Sequence, residues 1–244
     1  MGDVLIVQNS KSGGPGRLGD WLAEAGLELD VVLAHEGAPL PDRLAHRALI
    51  MLGGGYLPSE DDRAPWLRDV RRLAGHALAD GVPFFGVCLG GQLLAEVAGG
   101  EVTGDVGAPE NGSVPVTIRP EAARDPLFRG LPRVVPAVEH HKDAITRLPA
   151  GAVHLAETGR CPYQAFRVGE RAWGVQFHPE VVPERIRAWQ ADGFDPDEVY
   201  ARALADEPVS TPIWREVAAR FAKVVANRRV SRGGGGGPHG APRT

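Results

Sequence analysis

The sequence predicts an α/β protein: a central, mostly parallel but mixed open sheet with helices on both faces and a small antiparallel extension. Three observations predict it. Up to Gly100, short apolar runs alternate with apolar stripes at helical spacing. Glycines punctuate the ends of those runs and stripes. From Glu101 onward the pattern changes to short β-like runs broken by Pro and Gly.

Val4-Leu5-Ile6-Val7 is continuously apolar, as a strand covered on both faces must be. Leu18, Trp21, Leu22 and Ala25 then share one helical face, and Gly26 follows where a left-handed residue ends a helix. Leu29 to Leu33 reads as the second strand. Ala48 to Leu52 reads as the third and runs into Gly53-Gly54-Gly55. Trp66, Val70, Leu73, Ala74 and Ala77 form the next helical stripe, closed by Gly81. Val82 to Val87 is the fourth strand and ends at Cys88; Leu93, Leu94, Val97 and Ala98 follow as a helix stopped by Gly99-Gly100. Right-handed strand-helix-strand crossovers then give a flavodoxin-like sheet. Val114 to Ile118, Val134 to Val138, Val153 to Glu157, Tyr163 to Val168 and Ala172 to Phe177 read as strands of the extension. Helices return at Arg185 to Gln190, Asp197 to Leu204 and Pro212 to Val225, the last with Thr211 as its expected N-cap.

The bulk numbers bound the class. The 244 residues suffice for one large or two small domains, and 43% hydrophobic with 24% charged is ordinary for a globular protein. The net charge of −4, with Lys and Arg spread along the chain, speaks against a nucleic-acid footprint. The first residues read as a strand rather than a leader, and no apolar run reaches the ~20 residues that span a bilayer. Two cysteines, Cys88 and Cys161, are no disulfide framework, so a reducing cytoplasm is the expected setting. One domain is expected over residues 1–228, followed by a disordered Gly/Pro/Arg tail over 229–244.

Candidate chemistry centres on Gly86-Val87-Cys88-Leu89-Gly90-Gly91-Gln92. A Gly-x-Cys-x-Gly run between a buried strand and a helix is a nucleophile elbow with Cys in the Ser position. The turn is tight, so the residues flanking the nucleophile must lack side chains. A free thiol titrates near ~8.5, and a helix N-terminus with a histidine nearby favours the thiolate. A lone Cys is more often a small core residue; the strand, the glycines and the helix reverse that reading here. His178 ends the apolar run from Trp173 and can face the same crevice as the elbow. Glu180, two residues on, can accept Nδ1–H and leave Nε2 for the thiol. By itself His-Pro-Glu would read as a surface loop. Gly53-Gly54-Gly55 permits close backbone approach to a substrate carbonyl. Amides of Gly54 or Gly55 and of Leu89 are the expected oxyanion donors.

Taken together, Gly86 to Gln92, Gln176-Phe177-His178-Pro179-Glu180 and the glycine triplet resemble the class I (triad) glutamine amidotransferases over roughly residues 3 to 182. Within that family the chain looks most similar to the stand-alone GMP-synthase-type amidotransferase domain. The resemblance implies that Cys88, His178 and Glu180 form the triad, that Cys88 forms a thioester with glutamine and releases ammonia, and that no cofactor or metal takes part. It further implies that Gln92, Gly112 and Asp143 contact the substrate, from Glu110-Asn111-Gly112-Ser113 and Glu139-His140-His141-Lys142-Asp143. Lys142 stands where the family has Gly.

Other motifs read as coincidence. Gly14 to Gly19 matches a dinucleotide fingerprint, but the strand ends several residues earlier and Pro15 intervenes. Ser12-Gly13-Gly14 opens like an ATP pyrophosphatase loop without the Asp-Ser that should follow. His140, His141 and His154 lack regular ligand spacing. The expected substrate is L-glutamine or a γ-glutamyl compound. The chain has no room for an ammonia-using domain, so a separate synthetase is the expected partner, with neither nucleic acid nor membrane. Two alternatives remain open: a self-sufficient γ-glutamyl peptide hydrolase, and a catalytically silent binding or regulatory subunit.

Overall fold

The structure is a computed structural model that describes residues 2–106, 108–189 and 193–228. In chain order the strands are β1 (Val4–Gln8), β2 (Leu29–Leu33), β3 (Ala48–Met51), β4 (Phe84–Val87), β5 (Glu101–Thr103), β6 (Glu110–Ile118), β7 (Val134–His141), β8 (Ala144–Arg147), β9 (Val153–Glu157), β10 (Ala165–Val168) and β11 (Ala172–Val175). The helices are α1 (Gly16–Glu24), α2 (Leu67–Ala79), α3 (Leu89–Val97), α4 (Pro183–Ile186) and α5 (Pro196–Ala226).

A nine-stranded sheet runs β2-β1-β3-β4-β11-β10-β9-β6-β7. Its first five strands are parallel, four of them from the alternating half of the sequence and the fifth, β11, from the segment expected to belong to the extension; from β11 to β7 each neighbour is antiparallel. The antiparallel strands thus continue the main sheet, and β5 with β8 makes a separate two-stranded sheet. Side chains alternate across β1: Val4 and Ile6 join the core under α1 and α5, Leu5 and Val7 the core under α2 and α3.

The sequence order reverses at β1, which is flanked by β2 and β3. In open α/β sheets ligands bind where strand order reverses, beyond the carboxyl ends. Asn9, Gly53, Cys88 and His178 all lie just beyond the carboxyl ends of parallel strands.

Two helix boundaries differ from the sequence reading. The short helix expected at Arg185 to Gln190 is α4, over Pro183–Ile186, and Gln190 lies outside the described residues. The two helices expected at Asp197 to Leu204 and Pro212 to Val225 are one, α5, which carries Pro208 and Pro212 inside it. A helix-interior proline removes one backbone bond. Here the buried stripe of Ser210, Trp214, Val217, Phe221 and Val225 holds the helix on the sheet, and packing overrides local propensity. Thr211 accordingly is no N-cap; its hydroxyl donates back one turn to Glu207 Oε1 at 2.6 Å. The cap of α5 is Asp195, which accepts from the amides of Asp197 and Glu198. The tail expected over 229–244 lies outside the described residues.

Trp214 couples α5 to β7 and to the segment between β11 and His178. Its ring lies 4.4 Å from that of Phe177, and its indole N–H donates to Pro136 O at 2.9 Å. Trp214→Ala should lower unfolding free energy by about 3–5 kcal/mol in urea titration. A loss below ~1 kcal/mol would mean that α5 contributes little to the hold on β7 and that segment.

Candidate active site

The elbow is built from steric necessity. A Cβ on Gly86 would overlap the Gly90 carbonyl, and one on Gly90 would overlap Met51 O of β3. Only a chain without side chains there lets α3 lie this close to the sheet. Cys88 takes the strained corner, with φ 51° and ψ −111°. A non-glycine residue in such a region costs about 1–3 kcal/mol and needs support from its surroundings. Its amide donates to Val175 O at 2.8 Å, and its carbonyl accepts from Gln92 N at 2.9 Å. Cys88 is 7% exposed, so the sulfur stands at the N-terminus of α3 in a nearly closed site.

His178 follows β11, next to β4 in the sheet. Its amide donates to Val138 O at 2.7 Å. Its Nδ1 meets Glu180 Oε1 at 2.7 Å, so Nδ1 carries the hydrogen and Nε2 is left without a partner among the described residues. Gly53 presses on both groups: a Cβ there would stand 3.0 Å from His178 Cε1 and 3.5 Å from Cys88 Cβ. Burial acts to lower the pKa of His178, but the charge of Glu180 and the neighbouring Cys88 outweigh it and hold the pKa well above its ordinary value. Both cysteines are free, and burial pushes the Cys161 thiol up.

The loop that carries Pro179 and Glu180 is gripped by α1. Arg17 Nε donates to Pro179 O at 3.0 Å, and the Arg17 amide donates to Glu180 O at 3.1 Å. Arg17 is buried, paired with Glu207 at 2.5 Å, and bonded to Thr211. Gly16 has φ 45°, and the Glu180 carbonyl occupies the space where its side chain would be. The glycine loop from Gly14 to Gly19 therefore seats the His-Pro-Glu loop. The α1 amide that a phosphate would need is already taken. Nothing in the sequence marked Arg17 for this task.

The expected oxyanion donors sit in two places. Leu89 opens α3, so its amide is among those that lack an intrahelical acceptor. Gly54 and Gly55 follow β3; Gly54 packs toward Leu89 and Asn9, and Gly55 is exposed. Asn9 secures that turn by donating to Leu52 O at 2.9 Å.

Of the three residues expected to touch substrate, Gln92 and Asp143 are in contact with each other and Gly112 faces α5. Gln92 lies behind Cys88 and donates to Asp143 O and Gln176 Oε1, both at 3.2 Å. Gly112, at φ 84°, faces Val199 of α5, which fills the space a side chain would need. Asp143 Oδ1 accepts from the Asp105 amide at 2.8 Å.

Two groups near the site went unrecognised in the sequence. Trp189 stacks on His140 at 4.5 Å and lies 5.5 Å from His178. His140 Nδ1 pairs with Asn111 Oδ1 at 2.9 Å, and burial lowers its pKa to about 4, so the ring is neutral. Deeper, Glu110, Glu139, His141, Cys161 and Gln164 form a buried polar cluster. His141 Nε2 lies 3.2 Å from Glu110 Oε2 and 3.4 Å from Glu139 Oε2, and Gln164 donates to Glu110 at 2.7 Å. Burial raises Glu139 to about 7. Burial also acts against the charge on His141, but the two carboxylates prevail and raise it to about 10.

Residues 17–191 match the family model "Glutamine amidotransferase class-I". The chain belongs to this family. A glutamine-hydrolysing GMP synthase of Thermus thermophilus is 41% identical over 147 residues, 59% of this chain and 27% of that protein. The chain thus spans about a quarter of the length of such full synthases. A protein of Methanoregula boonei, named as one subunit of a glutamine-hydrolysing GMP synthase, is 33% identical over 159 residues, 64% of this chain and 77% of that one. Among solved structures, a glutamine amidotransferase from Thermotoga maritima superposes with a TM-score of 0.80 at 25% identity, covering 90% of this chain and 97% of its own. One from Methylobacillus flagellatus gives 0.78 at 28% identity, covering 96% and 98%. Among the described residues of this amidotransferase no helix is long and apolar enough to cross a membrane.

The buried cluster sets a sign for pH dependence. His141 and Glu139 both hold their protons more tightly folded than unfolded. Stability from His141 is complete below its ordinary value of 6.5 and is lost as pH rises through about 10; ionising Glu139 near pH 7 acts in the same direction. Urea unfolding between pH 6 and 10.5 should show falling stability, with a shallower slope in Glu139→Gln. Equal slopes would show that the cluster is not the source.

Proposed function

We propose that this amidotransferase releases ammonia from the side-chain amide of glutamine through a thioester on Cys88, with His178 and Glu180 completing the triad. The observation that carries this reading is the 2.7 Å pairing of His178 Nδ1 with Glu180, which leaves Nε2 without a hydrogen-bond partner among the described residues, beside a cysteine held at positive φ.

The chemistry follows from the charges. The raised pKa of His178 supports a resting imidazolium beside Cys88; in this mechanism the sulfur attacks as the thiolate. The sulfur attacks the γ-carboxamide carbon, and the carbonyl π pair moves onto oxygen. Amides of Gly54 or Gly55 and of Leu89 are the donors for that oxyanion. When the C–N bond breaks, the Nε2 proton goes to the departing nitrogen and ammonia leaves. The neutral imidazole then takes a proton from water, which attacks the thioester. Collapse expels the sulfur, and glutamate is released. Glu180 holds the tautomer throughout and stabilises the imidazolium.

The ammonia acceptor is proposed to be a separate synthetase. The support is likeness to the Methanoregula boonei synthase subunit over most of that protein's length.

Purified protein should release glutamate from glutamine, and Cys88→Ala should bring the rate to background. Glu180→Gln should cut kcat by roughly 10²-fold or more with a smaller change in KM. Undiminished turnover in Cys88→Ala would sink the assignment. Faster turnover of γ-glutamyl dipeptides than of glutamine would replace the ammonia-donor reading with peptide hydrolysis.

A further inference from the structure

Behind Cys88, two buried glutamines form a hydrogen-bond chain whose polarity is set by a backbone carbonyl. Asp143 O, on the turn between β7 and β8, can only accept. It receives Gln92 Nε2 at 3.2 Å and His141 Nδ1 at 3.1 Å. The end of the Gln92 amide that faces it must therefore be NH₂. That same NH₂ also meets the Gln176 side chain at 3.2 Å, so the Gln176 atom there must be the oxygen. The other end of Gln176 is then NH₂, and it meets Cys88 Sγ at 3.5 Å. Gln92 and Gln176 are 2% and 1% exposed, so water offers neither amide an alternative. The Gln176 backbone is pinned as well, its amide donating to Gln164 O at 2.9 Å.

We propose that Gln176 is a positioning residue for Cys88: its side-chain amide donates to the sulfur, in an orientation imposed through Gln92 by the carbonyl of Asp143. The inference rests on Cys88 being the nucleophile. A thiol both donates and accepts hydrogen bonds, whereas a thiolate only accepts. A donor that cannot turn away favours the thiolate and fixes the direction from which the sulfur attacks. It also leaves the His178 Nε2 proton free for the leaving nitrogen, because the sulfur has a second donor. Gln92 therefore acts from behind the sulfur, with its amide hydrogens committed to two carbonyl oxygens. The titratable groups around the chain come from three strands or their ends: His178 and Glu180 beyond β11, Glu139 and His141 on β7, and Glu110 on β6.

The test is the pH profile of Cys88 alkylation by iodoacetamide, followed by peptide mass spectrometry on the full chain. Gln176→Met keeps the volume and deletes the donor. The profile's midpoint should move up by roughly one to two pH units, the equivalent of one hydrogen bond to a charged acceptor. At pH 7 alkylation should slow by about tenfold or more, and kcat for glutamate release should fall more than KM changes. Gln92→Met leaves Gln176 in place but unanchored, and its midpoint should move the same way by less. A midpoint within about 0.3 of wild type in Gln176→Met overturns the proposal. If that variant does not fold, an unmoved midpoint in Gln92→Met overturns it. A wild-type Cys88 that alkylates no faster at neutral pH than the unfolded chain, with no glutamate release, would fail the nucleophile reading itself. A fast wild-type thiol with unmoved variants fails the Gln176 role alone.

Discussion

The close seating of α3 on the sheet is the constraint on which the rest of the site depends. Gly86, Gly90 and Gly91 face backbone carbonyls and amides at distances that no side chain would allow. Helix and strand ends therefore meet backbone to backbone, and the residue between them is driven to positive φ. Tight packing is what keeps the strain in place, because relaxing Cys88 would require lifting α3 from β3 and β11. The same seating packs the start of α3 against the glycine turn after β3, with Leu89 against Gly54 and Cys88 against Gly53. Sheet order then brings His178 to Cys88: β11 lies beside β4 although α3 and most of the antiparallel strands separate them in the chain.

The second requirement is to hold a short loop still. His178 and Glu180 are only two residues apart, and a loop of that length makes few contacts of its own. Arg17 meets it with a donor to each of two successive carbonyls, Pro179 O and Glu180 O. Arg17 in turn is pinned by Glu207 and Thr211 on α5. Removing a buried guanidinium from water is costly, and the cost is offset only where its donors are satisfied. Here α1, α5 and the loop become one assembly, which explains why the long C-terminal helix sits so near the chemistry without entering it.

How much of this was legible in the sequence follows from the range of the forces involved. The tight turn at Cys88 and the His178–Glu180 pair were legible because their demands fall on adjacent residues: glycines around a cysteine at a corner, a carboxylate two positions from a histidine. The parallel strands were legible because burial on both faces writes continuous apolar runs. The continuity of α5 was not, since Pro208 and Pro212 carry a local signal that a buried stripe from Ser210 to Val225 overrules. The short strands β5 and β8 have too few apolar residues to announce them. Arg17 and the Glu110–His141–Glu139 group were invisible for another reason: their partners lie far away in sequence, and no spacing rule joins them. The glycine segment that runs into α1, rightly set aside as a dinucleotide fingerprint, shows why its glycines are there. It has the glycines a phosphate cradle needs, for the same steric reason, but a carbonyl of the protein itself fills the space.

Three histidines clustered at this end of the sheet show how neighbours assign protonation. His140 faces an amide oxygen of Asn111 and the indole of Trp189; neither rewards a charge, so burial keeps the ring neutral. His141, one residue on, points to the other side of β7 and meets two buried carboxylates, which make it a cation despite greater burial. His178 meets Glu180 and Cys88, and the two together again outweigh burial. The strand's alternation is therefore also an electrostatic device. It sends the neutral ring outward toward Trp189 and the charged one inward, toward the carbonyl that orients Gln92 and Gln176. The two rings favoured as cations thus come from different parts of the chain, His141 of β7 between two carboxylates and His178 beyond β11 beside one carboxylate and Cys88. That asymmetry separates a ring locked between two carboxylates from one whose Nε2 has no partner among the described residues, so the same charge is fixed in one place and free to be given up in the other.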